Sequence, residues 1–123
     1  MGAGYLPGAR RPTAYNGAMK VWIVTENLFW SARLLRSVRA MGHEAADAGA
    51  DAVQACDGDW VLLDLSSLCT AKDVAGWKAS GATVVGFAGH KEQEKLATGK
   101  EMGCDEVVSN STITNLLDRV IRT

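Results

Sequence analysis

The sequence predicts a three-layer α/β domain of flavodoxin-like topology, a five-stranded parallel sheet in the order 2-1-3-4-5 with helices on both faces. Two observations carry this expectation. The runs Val21-Trp22-Ile23-Val24, Trp60-Val61-Leu62-Leu63 and Ala82-Thr83-Val84-Val85-Gly86-Phe87 are short and apolar almost throughout, as strands buried on both faces must be. Amphipathic stretches with cap residues alternate with them, which implies parallel strands joined by right-handed crossovers. A length of 123 residues leaves room for one such domain and one core.

Residues 1–18, MGAGYLPGARRPTAYNGA, show neither period and read as an extended N-terminal arm, with the domain at 19–123 and Met19 offering an alternative start. The segment reads as a loose extension, to which Tyr5, Leu6 and Tyr15 offer a means of pinning onto the body or onto a neighbouring subunit. Strand one, Val21–Val24, stops at the polar Thr25-Glu26-Asn27. Asn27 caps a helix whose apolar stripe is Leu34, Leu35, Val38 and Met41, with Gly42 as its left-handed stop. His43–Ala46 is a weak second strand, and Asp51–Cys56 a short helix ended by Asp57-Gly58-Asp59. After strand three, Trp60–Leu65, the spacing Thr70-x-x-Asp73 resembles a capping box opening a helix with Val74 and Trp77 inward. Strand four is 82–87. A polar helix over 91–102, with Leu96, Ala97 and Met102 as its apolar side, leads to strand five at Glu106–Val108. Ser111 or Thr112 caps a last helix over 112–121 that buries Ile113, Leu116, Leu117, Val120 and Ile121.

Composition narrows the function. Thirteen basic against fourteen acidic residues give a net charge of -1, so nothing draws the chain as a whole onto nucleic acid or anionic lipid. No apolar run approaches the roughly 20 residues that span a bilayer, and the opening lacks the apolar core of a signal peptide. The expectation is a cytoplasmic protein with no nucleic-acid or membrane partner. Cys56, Cys69 and Cys104 form no C-x-x-C pair and suit a reducing compartment.

In sheets of this kind ligands gather beyond the carboxyl ends of the strands, here Thr25, Glu26, Asp64, Ser66, Ser67, Phe87 to His90, Ser109 and Asn110. At these positions the chain resembles a bacterial response-regulator receiver domain. The likeness runs through VWIVTE, the helix ending in Met41-Gly42-His43, WVLLDLSS, VVGFAG and GCDEVVS, over Lys20 to Ile121. It implies that Asp64 is the phosphoacceptor position and Glu26 one member of an acidic pair that holds Mg²⁺, so that Glu26 and Asp64 form a weak metal site. Thr25 replaces the other acid, Phe87 stands where a hydroxyl residue is expected, with Ala88 next to it, and Ser109-Asn110 replaces Lys-Pro. A serine cannot neutralise a phosphoryl dianion and a phenylalanine cannot hydrogen-bond to it.

The resemblance, with these departures, implies a stand-alone atypical receiver, or pseudo-receiver, in two-component or phosphorelay signalling. It is not an enzyme, holds no obligate cofactor, and works through a protein partner or a homodimer that uses the helices at 91–102 and 112–121. Two other classes stay open: a true phosphoacceptor using Asp64 with Mg²⁺, and a small-ligand-binding flavodoxin-like module. Among single residues, Asp64 can equally cap the Ser66-Ser67 loop, Glu26 can serve the helix macrodipole, and His90 can be a solvated loop histidine. Arg33, Arg36 and Arg39 make a basic strip or a solvated face, and Trp30 and Trp77 either pack or contact partners. Gly86–Gly89 lacks the pattern of a phosphate-binding loop.

Overall fold

In the computed structural model the described residues are 19–115 and 117–121; the arm at 1–18 and the proposed core residue Leu116 lie outside them. The elements are β1 (Lys20–Val24), α1 (Leu28–Ala40), β2 (Glu44–Asp47), β3 (Trp60–Asp64), α2 (Ala71–Ala79), β4 (Thr83–Ala88), α3 (Gln93–Glu101), β5 (Glu106–Ser109), α4 (Asn110–Asn115) and α5 (Leu117–Val120). All strand pairs are parallel and the order is β2-β1-β3-β4-β5, the flavodoxin-like arrangement expected.

The two-residue period of the strands divides the core. Val21, Ile23, Leu62, Val85 and Phe87 bury one face of the sheet against Leu34 and Val38 of α1, Ile113 of α4, and Leu117 and Val120 of α5. Trp22, Val24, Val61, Leu63 and Val84 face the other way onto Val74 and Trp77 of α2. The caps are those the sequence implies: the Asn27 side chain accepts from the amides of Phe29 and Trp30, and Thr70 and Asp73 close a reciprocal capping box. Gly81, after α2, has φ +96°, and a Cβ there would lie 2.9 Å from the Cα of Asp57, so only glycine fits this turn.

One expected element is absent. Asp51–Cys56 is not a helix; a single 3-10 turn at Ala50–Ala52 is followed by extended backbone at Val53. Only twelve residues separate Asp47 from Trp60, and they must return the chain along the whole strand. The amide of Cys56, which a helix would bond to the carbonyl of Ala52, donates instead to Asp59 Oδ2 at 2.9 Å. Val53 and Ala55 still pack onto the α2 side of the core. In α3 the buried residue is Gly99, not the exposed Ala97, and Leu65 lies across it where a Cβ would meet Leu65 Cδ1 at 2.9 Å. The cap of α4 is Ser109, whose Oγ accepts from Thr112 N at 3.3 Å, rather than Ser111 or Thr112.

Candidate functional site

Parallel register sets the centre of the site. Val24 of β1 stands opposite Leu63 of β3, so Thr25 and Asp64, the next residues of each strand, come together at the carboxyl edge. Thr25 Oγ1 donates to Asp64 Oδ2 at 2.6 Å, and the amide of Ser66 donates to Asp64 Oδ1 at 2.9 Å. Each carboxylate oxygen of Asp64 therefore has a donor from its own chain, and the residue is 8% exposed. The Thr25 hydroxyl also accepts from the amide of Asn27 at 3.1 Å, which ties Asp64 to the start of α1.

Above Asp64 lies an open cavity of about 360 Å³ bounded by Glu26, Trp30, Ser66, Glu92 and Asn110. Ser67 also lines it, and its Oγ is buried without a hydrogen-bond partner among the described residues. From α3, Lys95 Nζ reaches Ser66 Oγ at 2.8 Å and Glu92 Oε2 at 2.6 Å. Glu92 Oε1 accepts from the amide of Gly89 at 2.9 Å. The hydrogen bond from Lys95, helped by that amide, holds the Glu92 carboxyl below the usual glutamate range.

Of the strand-end residues singled out in the sequence, Glu26, Asp64, Ser66, Ser67, Ala88 and Asn110 line this cavity, and Thr25 is bonded to Asp64. Phe87, His90 and Ser109 lie away from its lining. Phe87 is paired in register with Asp64, but its ring is fully buried, edge-on to Trp30 with centroids 6.3 Å apart, and Ala88 is the β4 residue at the cavity. His90 is exposed on the following turn. Ser109 turns to α4, its Oγ 3.0 Å from Thr112 Oγ1 and 3.1 Å from Ser111 Oγ. Sequence reasoning missed Glu92 and Lys95 because they belong to a helix whose orientation the local pattern does not set. The Thr25–Asp64 bond was open to inference from strand register alone.

Magnesium takes hard oxygen ligands and is held by one or two carboxylates with several waters. Glu26 and Asp64 supply that minimum, but both oxygens of Asp64 already accept from donors of this chain. Among the described residues no group of three His, Cys, Asp or Glu side chains is placed to hold a metal ion. The donor set falls short of a built metal site.

Beside this cavity and sharing Glu26 is a second one of about 490 Å³, lined by Asp51, Leu68, Cys69 and Asp73. Burial, and then the charge of Asp73, push the Cys69 thiol up to about 11. Two units above an ordinary thiol cut the thiolate fraction at pH 8 about a hundredfold, and the greater nucleophilicity of the more basic thiolate returns roughly tenfold. Cys69 should thus react with a disulfide reagent at pH 8 about tenfold more slowly than a peptide thiol. Mass-spectrometric timing of its labelling in the folded protein checks this, and labelling at the peptide rate would contradict it.

No family model matches the sequence, and no curated protein matches it either. Solved structures do. The chemotaxis protein CheY4 of Vibrio cholerae superposes with a TM-score of 0.63 at 16% identity, over 85% of this chain and 99% of that one. A chain of the co-crystal of the Saccharomyces cerevisiae phosphotransfer protein Ypd1 with the receiver domain of Ssk1 gives 0.66 at 14% identity, over 85% and 86%. A Burkholderia pseudomallei response regulator, solved with a phosphorylated aspartic acid, a calcium ion and citrate, gives 0.66 at 13% identity, over 85% and 67%. No helix of the described residues is long and apolar enough to cross a membrane. With its β2-β1-β3-β4-β5 sheet and Asp64 at the carboxyl end of β3, the chain has the fold of the response-regulator receiver domains.

Proposed function

We propose that this chain is a pseudo-receiver, a signalling module that acts through protein contacts and not through ordinary phosphorylation of Asp64. The observation that carries this reading is the state of the Asp64 carboxylate, which accepts from Thr25 Oγ1 at 2.6 Å and from Ser66 N at 2.9 Å. Phosphoryl transfer to a carboxylate needs a free oxygen in line with the donor and cations to offset the developing charge. Here the hydroxyl that holds the oxygen replaces a metal-binding acid, and Ser109 caps α4 where a lysine would read the product. The polar outer faces of α3 and of the α4–α5 segment are the surfaces offered to a partner or a second copy. The module works without an enzymatic step, in a cytoplasmic two-component pathway of bacterial type.

An amide NMR titration with Mg²⁺ and then beryllofluoride, the phosphoryl mimic, tests the reading. The peaks of Glu26, Asp64 and Ser66 are expected to stay in place at millimolar Mg²⁺ and on beryllofluoride addition. Joint movement of those peaks, spreading into α3, would overturn it. One observation favours the second reading, a working phosphoacceptor: Lys95 Nζ bonds two residues of the cavity wall, Ser66 Oγ at 2.8 Å and Glu92 Oε2 at 2.6 Å, a cation supplied by α3 instead of β5. On that reading the beryllofluoride response exists and is lost in Lys95→Met.

A further inference from the structure

The arginines of α1 have no part in the Asp64 site. The helix LFWSARLLRSVRA carries Arg33, Arg36 and Arg39 and no acid, whereas all fourteen acidic residues of the chain lie elsewhere. Like charges that neighbour one another on a helix surface weaken it, and α1 has no carboxylate of its own to offset them. Among the described residues no carboxylate pairs with these arginines, and Arg39 Nη2 donates instead to the carbonyl of Ala45 at 3.2 Å.

The helix packs on β1 and β2 through Leu34 and Val38. At about 100° per residue, positions 29, 33, 36 and 40 fall on the opposite side, with 32 and 39 on its flank. Phe29 is 62% exposed, and Ala32, Arg36, Arg39 and Ala40 are exposed as well. The Phe29 ring stands edge-on to Trp30 with centroids 5.4 Å apart, and Trp30 meets the buried Phe87, so an exposed aromatic ring is braced from the core. Aromatic and arginine side chains are the ones that dominate binding at protein interfaces, and here they share one stripe.

Spacing selects what covers the stripe. Each three-residue step from Arg33 to Arg36 to Arg39 rises about 4.5 Å along the axis. Carboxylates three and four residues apart on a second helix recur at about 4.5–6 Å, whereas same-side residues of an extended strand recur at about 6.6 Å. A helix therefore presents its acids in step with the arginines, and the small Ala32 and Ala40 let its axis come within about 8–10 Å. A broad anionic surface, lipid or nucleic acid, fits worse, because Glu26 just ahead of α1 and Glu44 and Asp47 of β2 are exposed and would meet it too. The α1 of a second copy would set arginine against arginine.

We propose that the stripe Phe29–Arg33–Arg36, flanked by Arg39, is a docking surface for an acidic amphipathic helix of a partner protein. Phe29 meets the partner's apolar side chain, and the guanidiniums pair with carboxylates three and four residues apart. The inference rests on the reading of this chain as a module that works through protein contacts, and not on whether Asp64 is ever phosphorylated.

An amide NMR titration of the full chain tests this with a capped, alanine-rich helical peptide that bears one Leu and three Glu at three- and four-residue spacings. The peaks of Phe29, Arg33, Arg36 and the Trp30 indole are expected to shift together at millimolar peptide. Arg33→Glu/Arg36→Glu should weaken binding by roughly tenfold or more, and Lys100→Glu, an exposed charge on α3, should leave it unchanged. High salt should weaken it as well. A peptide with Lys in place of Glu should bind the double variant and not the wild type, which also shows that the variant is folded. Wild-type peaks of α1 that stay in place would overturn the proposal. So would equal binding of a peptide whose three Glu are adjacent, or an equal loss in Lys100→Glu. Phosphatidylglycerol vesicles that move the α1 peaks when the peptide does not would assign the stripe to a lipid surface and overturn it too. Beryllofluoride plays no part in these arms, so their outcome is separable from that of the phosphorylation test.

Discussion

Asp59→Ala is expected to lower the unfolding free energy by about 3 kcal/mol, roughly the cost of leaving two buried donors without their charged acceptor. Asp59 is 2% exposed at the entry to β3. Its Oδ2 accepts from Trp22 Nε1 at 3.1 Å and from the amide of Cys56 at 2.9 Å. Its carbonyl accepts from Thr83 N at 2.9 Å, so one residue joins β1, β3, β4 and the extended return before β3. The alanine variant keeps the carbonyl bond but strands the indole and the amide in a low-dielectric site. Trp22→Phe, which removes one donor together with its need for a partner, should cost about 1–2 kcal/mol. Urea unfolding followed by far-UV circular dichroism measures both. Equal losses in the two variants would show that the carboxylate adds nothing beyond the packing of the indole.

Why Asp59 escapes a reading of the sequence shows what that reading can and cannot recover. In Asp57-Gly58-Asp59 both acids look like turn formers, and nothing local tells the exposed Asp57 from the buried Asp59. The strands were legible because Val21–Val24 and Trp60–Leu63 are apolar on both faces, a property of the run itself. Strand order followed from alternation with helices. The segment at 50–56 was misjudged because its alanines and Val53 suit a helix locally, while the carboxylate that takes the Cys56 amide is set by the burial of Asp59 against Trp22.

The site divides in the same way. Strand ends suffice to bring Asp64, Glu26 and Ser66 to one edge of the sheet, and they share one cavity. Glu92 and Lys95 depend on how closely α3 approaches the sheet, and that rests on Gly99 lying beneath Leu65, a contact between residues far apart in sequence. Phe87 was legible as a position and not as a direction. It does stand beside Asp64, yet its ring belongs to the core.

That placement governs any attempt to give the site a hydroxyl reader. Phe87→Thr is expected to destabilise the domain by about 4 kcal/mol without producing a beryllofluoride response. Phe87 is completely buried, among the side chains that join the sheet to α1 and α4, and its ring meets the edge of Trp30. Replacing it removes most of a large apolar side chain and leaves a cavity, for which losses of about 3–5 kcal/mol are usual, and it buries a hydroxyl among apolar neighbours. Relaxation to fill the void would move Trp30, a wall of the Asp64 cavity, so the site loses shape as it gains a donor. Phe87→Leu, which fills more of the space and adds no polar group, should cost clearly less. Denaturant unfolding separates these outcomes. A threonine variant as stable as the wild type would show that the ring is not a structural member of the core. A strong beryllofluoride response in that variant would show that the phosphoryl site was intact all along and lacked only its hydroxyl. Either result would change the view of Asp64 as a carboxylate held by Thr25 and the Ser66 amide.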